Sequence, residues 1–167
     1  VYKRQHQAGT LQRNFMGYTT CRGTDMVSLG VSAIGEVGGA FVQNDPNEPG
    51  YLERVAKTGF GSYRGHTLTA DDRLRRDVIL GLMCNGVLEK APIEAAHGIE
   101  FDETFALELS ELAPLEEDGL VRLEPGALRL TGIGQMFMRN VALPFDRYYR
   151  ERQARGEDGK NTFSKTL

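Results

Sequence analysis

The residue pattern of this chain changes near residue 68, and that change constrains the fold more than any other feature. Residues 1–68 are rich in glycine and show little helical periodicity, whereas apolar residues recur at helical spacing from about Thr69 to Arg152. Residues 153–167 are mostly polar and are expected to fray. The sequence therefore predicts a glycine-rich domain at 1–68, a helical domain at 69–152 and a tail at 153–167. The predicted fold class is α+β, mostly helical.

The glycine-rich domain contains one short apolar run, from Met26 to Ile34, bounded by turn residues. A run of this length between glycines predicts a buried strand. The glycines beside it suit close approach to a ligand or to another strand. A surface loop is predicted at residues 44–50, followed by a short helix at 51–57 that ends near Gly59.

The helical domain opens with clear helix boundaries. Thr69 is predicted to cap the first helix, and Asn85 and Gly86 are predicted to end it. A second helix is predicted from Pro92 to Gly98, because proline suits a first helical position.

A third helix and a β-hairpin are predicted next. Asp102 is expected to cap the helix, Pro114 to kink or interrupt it, and Gly119 to end it. Residues 120–123 and 127–130 flank a Glu-Pro-Gly turn, and this pattern predicts a small β-hairpin.

A final helix is predicted after the hairpin, capped by Thr131. This helix would contain Ile133, Met136, Phe137, Asn140 and Val141. Three helices, a hairpin and a closing helix make a winged-helix-like arrangement, and many winged helices bind DNA.

The charge of the helical domain argues against nucleic acid as a partner. Between Thr69 and Arg152 there are sixteen Asp and Glu against ten Lys and Arg. The stretch from Asp102 to Asp118, which would carry the recognition helix, holds seven acidic residues and no Lys or Arg. Because phosphate contacts supply most of the affinity for nucleic acid, such a surface would repel a duplex. We therefore predict no nucleic-acid partner.

The chain offers few residues for metal or nucleophilic chemistry. Cys21 and Cys84 are expected to be reduced thiols, since zinc and iron–sulfur sites need clustered thiolates. His6, His66 and His97 are far apart in sequence and are predicted to lie on the surface or in loops. No GxSxG, HExxH or Walker-type motif is present. We predict that this chain of 167 residues contains no metal site and no catalytic residue.

Nothing in the sequence predicts membrane association. No apolar run is long enough to span a bilayer, and no leader-like segment opens the chain, so a cytoplasmic location is expected. The chain begins at Val1 rather than Met, and it is expected to have lost its natural N-terminus.

Several stretches of the chain share the order and spacing of one known family's motifs. The first three read RNFMGYTT, GTD and LGVSAIG, and shorter matches follow. These stretches are Arg13–Thr20, Gly23–Asp25, Leu29–Gly35, Tyr63–Gly65, Arg75–Ile79, Leu112–Leu115, Asp118–Val121, Thr131–Gly132 and Arg139–Asn140. Together they closely resemble the RNF-x-GYTT, GTD, GVSAI, RG and RRDVI elements of the oxygen-independent coproporphyrinogen III oxidases. The likeness extends from about Gly9 to Arg152.

The resemblance implies a radical-SAM enzyme of haem biosynthesis. Members convert two propionates of coproporphyrinogen III to vinyl groups and so form protoporphyrinogen IX. They use S-adenosylmethionine, a [4Fe-4S] cluster and an electron donor protein. The cluster ligands lie in a CxxxCxxC motif that is absent here. The chain would then be the end of an incomplete (β/α) barrel plus the helical domain. Without the N-terminal barrel half, we expect it to be inactive and to expose apolar surface near Val27 to Ile34.

The resemblance also implies site residues. Family members contact a second S-adenosylmethionine, or the substrate, at positions that correspond to Phe15, Met16 and Ile34. The family often has Gln in place of Met16, and a thioether cannot donate a hydrogen bond as an amide does.

Three arginines are candidates for the substrate carboxylates, because a guanidinium pairs well with a carboxylate. They are Arg13, Arg22 and Arg64.

Two other functions stay open at this point. One is a haem chaperone or carrier of the same superfamily, which would bind porphyrin without decarboxylating it. The other is an acidic winged-helix interaction module that folds independently of any barrel.

Overall fold

The computed structural model describes residues 2–21 and 23–156, which form two compact units that meet between Arg73 and Leu74. We call the part up to Arg73 unit 1 and the part from Leu74 unit 2. Both units contain helices and strands, so the α+β class is confirmed. The division lies a few residues beyond the boundary expected from composition, inside the first turn of a helix.

Unit 1 is built from two antiparallel groups of strands. A short helix, α1 (Tyr2–Gln7), is followed by the hairpin of β1 (Gln12–Asn14) and β2 (Gly17–Thr19). The second group is a three-stranded sheet in the order β3–β4–β5. Its elements are β3 (Ile34–Val37), β4 (Ala40–Asn44) and β5 (Ser62–Thr67), and α2 (Glu48–Thr58) connects the last two strands.

A tight turn of two glycines joins β3 to β4. Gly38 and Gly39 have φ angles of +58° and +76°. A two-residue hairpin turn with both residues at positive φ matches the twist of the flanking strands, and glycine adopts this conformation without steric cost. This turn fixes the register, with Val37 opposite Ala40 and Ile34 opposite Gln43.

The buried strand predicted at Met26 to Ile34 was wrong. Within residues 26–33 only Met26 makes a β-bridge, to Glu36, and the strand β3 begins at Ile34, where the predicted strand ends. Gly30 and Ser32 have φ angles of +100° and +60°, which are incompatible with an extended strand.

The same segment carries the apolar surface expected near Val27 to Ile34. The side chains of Val27 and Leu29 are 74% and 86% exposed.

Helix α2 ends as predicted and begins earlier than predicted. Gly59 adopts the left-handed conformation with φ of +79°, and its N–H donates to the carbonyl oxygen of Val55. Pro49 lies in the first turn, where its missing N–H has no consequence, so the helix starts at Glu48.

Unit 2 surrounds one hydrophobic core. Helix α3 (Ala70–Asn85) leads into it, and the sheet has the order β6–β8–β7. The further elements are β6 (Val87–Glu89), α4 (Lys90–His97), α5 (Phe101–Thr104), α6 (Ala106–Glu117), β7 (Val121–Glu124), β8 (Ala127–Leu130), α7 (Met138–Ala142), a 3₁₀ helix (Leu143–Phe145) and α8 (Arg147–Ala154).

Three aromatic rings form the centre of this core. Phe101, Phe105 and Phe145 are fully buried, and the ring centroids of Phe105 and Phe145 are 5.3 Å apart in an edge-to-face arrangement. Leu82 and Leu128 are equally buried and belong to the same cluster. Burial of a side chain of this size contributes about 1.5–3 kcal/mol each, so the core accounts for the compactness of unit 2.

Several predicted boundaries of unit 2 are confirmed. The Thr69 hydroxyl accepts a hydrogen bond from the N–H of Asp72, at 3.1 Å, and the Asp72 carboxylate accepts one from the N–H of Thr69, at 2.8 Å. This reciprocal pair is a capping box. Gly86 and Gly98 end α3 and α4 with positive φ angles. The hairpin of β7 and β8 forms as predicted.

Asp102 does not cap a helix, contrary to prediction. It lies inside α5, and its carboxylate instead accepts a hydrogen bond from the Lys90 ammonium group at 2.6 Å. Glu100 takes the capping position without a side-chain hydrogen bond. The helix dipole favours an acidic residue both at the N-cap and within the first turn of a helix. The sequence therefore did not show which of these two positions Asp102 takes.

Pro114 does not interrupt its helix either. Helix α6 continues to Glu117, and the N–H of Asp118 donates to the Pro114 carbonyl oxygen. Leu112 is fully buried and Leu115 packs against the core, so tertiary contacts hold the helix on both sides of the proline.

The single final helix predicted after Thr131 was also wrong. The Thr131 hydroxyl accepts a hydrogen bond from the N–H of Gly134, as a cap would, but residues 132–137 form turns and α7 begins at Met138. Gly134 lies so close to Leu120 that a Cβ atom would be 1.7 Å from the Leu120 carbonyl oxygen. Met136, predicted to be part of the helix, lies in these turns and is 83% exposed.

The predicted tail is described only in part. Helix α8 reaches Ala154, and residues 157–167 lie outside the described residues. Among the helices that the structure describes, none has the length and apolar character that crossing a bilayer requires.

Candidate functional site: one face of the β3–β5 sheet

The sheet of unit 1 presents one face on which several predicted site residues meet. Cross-strand partners in an antiparallel sheet point to the same side, and so do residues two apart on a strand. Ile34 pairs with Gln43 and Gln43 with Arg64, and this defines one row across the sheet. The adjacent row runs from Glu36 through Phe41 to His66. We call these six residues the site face.

Phe15 reaches the site face from the β1–β2 hairpin. It occupies the turn of that hairpin with Met16, and its ring meets the Phe41 ring edge-on at a centroid distance of 5.3 Å. About half of the Phe15 side chain (55%) stays exposed. The structure therefore brings Phe15, Ile34 and Arg64 together around Phe41.

The Arg64 guanidinium is held on the site face by a neighbouring amide. Its Nε–H donates to Gln43 Oε1 at 2.8 Å, across the β4–β5 pair. A guanidinium that is fixed through Nε still presents the N–H groups of its two terminal nitrogens. Such a fork matches the geometry of a carboxylate.

The His66 imidazole is held by a buried carboxylate. Its Nε2 lies 3.4 Å from Oδ2 of Asp72, whose side chain is only 5% exposed. Asp72 is itself fixed by the N–H and the hydroxyl of Thr69, each at 2.8 Å. The imidazole ring is about half exposed. His66 is therefore oriented by the same capping box that begins α3.

The remaining predicted residues lie elsewhere or are not described. The Arg13 guanidinium lies over the Tyr18 ring, 5.6 Å from its centroid, on the β1–β2 hairpin. Met16 is 83% exposed at the hairpin turn, and its N–H donates to Asn14 Oδ1. Arg22 lies outside the described residues.

A polar cluster at the end of β4 anchors the segment that leads to α2. Asp45 Oδ1 accepts a hydrogen bond from the N–H of Asn47, and its Oδ2 accepts one from Arg54 Nε at 3.0 Å. These two hydrogen bonds hold the pKa of the Asp45 carboxyl below its ordinary value, because both favour the charged form. The N–H of Asp45 also donates to the carbonyl oxygen of Gly61, just before β5. The cluster thus fixes the strand ends next to the site face.

Four residues of the site face were not predicted from the sequence. They are Glu36, Phe41, Gln43 and His66. The signal that could have found the first three is the Gly38–Gly39 pair, which is typical of a two-residue hairpin turn and sets their alternation. His66 was predicted only as a surface or loop residue, because its neighbour Asp72 belongs to a later helix.

The cysteines do not form a site for an iron–sulfur cluster. Cys21 is exposed after β2 and Cys84 is buried on α3, and neither is in a disulfide. A [4Fe-4S] cluster needs grouped thiolates, so these two do not fit it. Within residues 2–21 and 23–156, no group of three or more His, Cys, Asp or Glu side chains could hold a metal ion.

The basic residues near the start of α3 include one buried ion pair. Arg75 donates to Oε1 of Glu108 at 2.9 Å, and Arg150 donates to the same oxygen at 2.6 Å. The Glu108 side chain is only 4% exposed. Arg75 therefore stabilises the interior of unit 2 and is not part of a phosphate-binding surface.

Comparisons with known proteins agree with this architecture. The family model described as the HemN C-terminal domain matches residues 68–137. The chain is 42% identical over 144 residues to the oxygen-independent coproporphyrinogen III oxidase of Escherichia coli, which covers 86% of this chain and 32% of that protein. It is 35% identical over 162 residues to the oxidase of the same name from Thermostichus vulcanus, which covers 96% of this chain and 48% of that protein.

A solved structure is also similar to this chain. The coproporphyrinogen III oxidase (HemN) from Escherichia coli, described as a radical SAM enzyme, superposes with a TM-score of 0.86 at 40% identity. The match covers 88% of this chain and 34% of that one. The chain thus spans between a third and a half of the length of the relatives compared. It belongs to the family of oxygen-independent coproporphyrinogen III oxidases and corresponds to their C-terminal portion.

Proposed function

We propose that the complete protein is an oxygen-independent coproporphyrinogen III oxidase of haem biosynthesis. It would decarboxylate two propionates of coproporphyrinogen III oxidatively to vinyl groups and so form protoporphyrinogen IX. In each step the propionate would lose CO₂, one hydrogen atom and one electron, which requires a hydrogen-atom acceptor derived from S-adenosylmethionine and a separate one-electron acceptor. The observation that carries the proposal is the similarity in fold and sequence to the Escherichia coli enzyme, with a TM-score of 0.86 at 40% identity.

The two units have different proposed roles. Unit 1 would complete an incomplete (β/α) barrel, and unit 2 would be a winged-helix-like domain. The order α3, β6, α4, α6, β7 and β8 supports the second assignment, because the hairpin of β7 and β8 with β6 as a third strand is the expected wing. The acidic stretch from Asp102 to Asp118 argues against a role in nucleic-acid binding for this domain, because it would repel phosphates.

The site face is the proposed contact surface for the reaction. Phe15 and Ile34 would contact a second S-adenosylmethionine or the tetrapyrrole, with Met16 beside them at the hairpin turn. Arg64 would bind a substrate carboxylate through its terminal nitrogens. Arg13 and Arg22 remain candidates for the other carboxylates. The support for this arrangement is the contact of Phe15 with Phe41 next to the Ile34–Gln43–Arg64 row.

The reactive cofactors would be held by other parts of the polypeptide. Since the two cysteines do not fit a [4Fe-4S] cluster, the cluster would belong to an N-terminal barrel half, and an electron donor protein would reduce it. We propose that the 167 residues alone are inactive and that the complete protein acts in the cytoplasm.

The test uses the complete gene product, purified without oxygen and supplied with S-adenosylmethionine, a reductant and coproporphyrinogen III. Protoporphyrinogen IX should form, and Ile34→Thr should abolish or strongly reduce its formation. The matched control is Val37→Thr, which makes a similar change on the same strand but on the opposite side of the sheet.

Two outcomes would contradict the proposal. If the protein bound haem and released no decarboxylated product, it would be a carrier of the same superfamily. If unit 2 alone were stable and bound a protein partner while no tetrapyrrole was bound, it would be an interaction module. Equal activity of Ile34→Thr and Val37→Thr would remove Ile34 from the site.

A further inference from the structure

Arg64 and His66 lie two residues apart on β5 and face the same side of the sheet. Residues at this spacing on a strand are separated by roughly 6.5–7 Å. His66 lies outside every stretch that resembles the family motifs, and the sequence predicted only a surface or loop position for it. On the basis of the proposed function, we propose that Arg64 and His66 form a two-point site that binds two carboxylates of one substrate molecule.

Both side chains are oriented before any ligand binds. Gln43 accepts the Nε–H of Arg64 at 2.8 Å, and Asp72 lies 3.4 Å from Nε2 of His66. Asp72 is fixed in turn by two hydrogen bonds from Thr69. A ligand that binds fixed side chains loses less conformational entropy than one that must order them. Gln43 and Asp72 are therefore positioning residues for the two-point site.

The other residues of the site face suit a tetrapyrrole with acidic arms. Phe41 lies directly opposite His66, and Phe15 packs on its ring, so an apolar surface lies beside the two donors. Tetrapyrrole rings pack favourably on such aromatic surfaces. With Nε2 directed at Asp72, His66 offers a ligand its Nδ1–H only when the ring is protonated. In that form the site combines an apolar contact with two hydrogen-bond donors at a fixed spacing.

The charges on the site face give the ligand one preferred direction. Glu36 is the only acidic residue of the face and lies on β3, two strands from His66, which is roughly 10 Å away. Asp72 approaches His66 from the first turn of α3. Ligand carboxylates near Glu36 would be repelled and those near Arg64 attracted, so the acidic arms should point towards β5.

The experiment is a fluorescence titration of the complete gene product with coproporphyrin III, the stable oxidised form of the substrate. The same titration uses the tetramethyl ester of coproporphyrin III, which has the same ring without carboxylates. The variants are Arg64→Met, His66→Phe and the double variant. Arg122→Met, at an exposed position on β7, is the control for loss of a cation.

Each single variant should weaken binding of coproporphyrin III about 10-fold, because a hydrogen bond to a charged group is lost. The double variant should weaken it about 100-fold, since separate carboxylates give independent losses. Binding of the ester should stay within about 2-fold of the wild type in all variants, and so should binding of both ligands to Arg122→Met. His66→Gln keeps an N–H donor and should retain most of the affinity.

Three results would overturn the two-point site. The first is that His66→Phe binds coproporphyrin III as tightly as the wild type. The second is that a variant loses as much affinity for the tetramethyl ester as for coproporphyrin III. The third is that the double variant binds coproporphyrin III no more weakly than the single variant with the lower affinity. Wild-type protein that binds no coproporphyrin III would overturn both this site and the proposed function. Wild-type protein that binds it without forming protoporphyrinogen IX would refute only the proposed function, and the variants would still decide the two-point site.

Discussion

Replacement of Glu108 by Gln should destabilise unit 2 more than any other single loss of charge on α6. Glu108 Oε1 accepts hydrogen bonds from Arg75 at 2.9 Å and from Arg150 at 2.6 Å, and the carboxylate is almost fully buried. Arg75 also donates to the carbonyl oxygen of Phe145, and its guanidinium lies 5.4 Å from the centroid of the Phe105 ring. The variant keeps the shape of the side chain and removes only its charge.

The expected loss is about 3 kcal/mol in the free energy of unfolding. Removal of one partner of a buried ion pair costs about 3–5 kcal/mol, because the other charge is left without compensation. The lower end applies here, since the Gln oxygen still accepts one hydrogen bond. In addition, Arg150 Nε keeps a contact of 3.7 Å with Glu111.

The assay is urea unfolding of the chain, followed by circular dichroism at 222 nm. With a denaturant slope of about 1.5 kcal/mol per M, the midpoint should fall by about 2 M. Glu111→Gln is the control on the same helix, because Glu111 is 41% exposed and an exposed ion pair contributes at most about 1 kcal/mol. If both variants lowered the midpoint equally, the argument from the buried ion pair would be refuted.

Three further predictions concern stability. Gly134→Ala should lower the free energy of unfolding by at least about 2 kcal/mol, since its Cβ would overlap a backbone carbonyl. Gly132→Ala has open space around its Cβ and should change the free energy of unfolding by less than about 1 kcal/mol. A thermal melt of each variant would show the difference. Leu112→Ala should cost about 3 kcal/mol through the cavity it leaves, whereas Leu107→Ala, on the exposed side of α6, should cost less than about 1 kcal/mol in urea unfolding. Asp45 has a pKa that is lower in the folded than in the unfolded chain, so its contribution to stability is present above the unfolded value of 3.8 and is lost as the pH falls through the lower folded value. The stability difference between the wild type and Asp45→Asn should therefore be constant from pH 7 to pH 5 and shrink below about pH 4, and a constant difference down to pH 2 would refute the assignment.

Local signals predicted much of unit 2 correctly. The capping box of Thr69, the glycines that end α3 and α4, and the β7–β8 hairpin each depend on residues within one or two turns of the chain. The strand β6 was missed because three residues carry too little pattern, and its pairing with β8 depends on residues some forty positions later.

The errors occurred where a local preference competed with packing. Pro114 favours a helix end, but the buried side chain of Leu112 holds α6 through it. Thr131 has the hydrogen bond of a cap, but Gly134 packs against Leu120 and the turns persist to Phe137. In each case a tertiary contact outweighed a local preference. That preference is about 3 kcal/mol against a proline inside a helix and about 1 kcal/mol for a helix N-cap.

The site shows the same division. The family resemblance identified Phe15 and Ile34 as candidates and the chemistry of the guanidinium group added Arg64. These residues come from three separate segments, and the sequence could not show which of them meet. The Gly38–Gly39 turn and the strand register place Ile34 and Arg64 beside Phe41. A ring contact adds Phe15 from the β1–β2 hairpin, where Arg13 lies over Tyr18 instead.

The sequence by itself determined the family, the α+β class and those helices and turns whose signals are local. The tertiary structure alone decided that His66 stands beside Arg64 and that Asp72 of a later helix orients it. The physical reason is that caps and turns are stabilised by neighbouring residues, whereas a site face depends on strand register and on hydrogen bonds between distant residues.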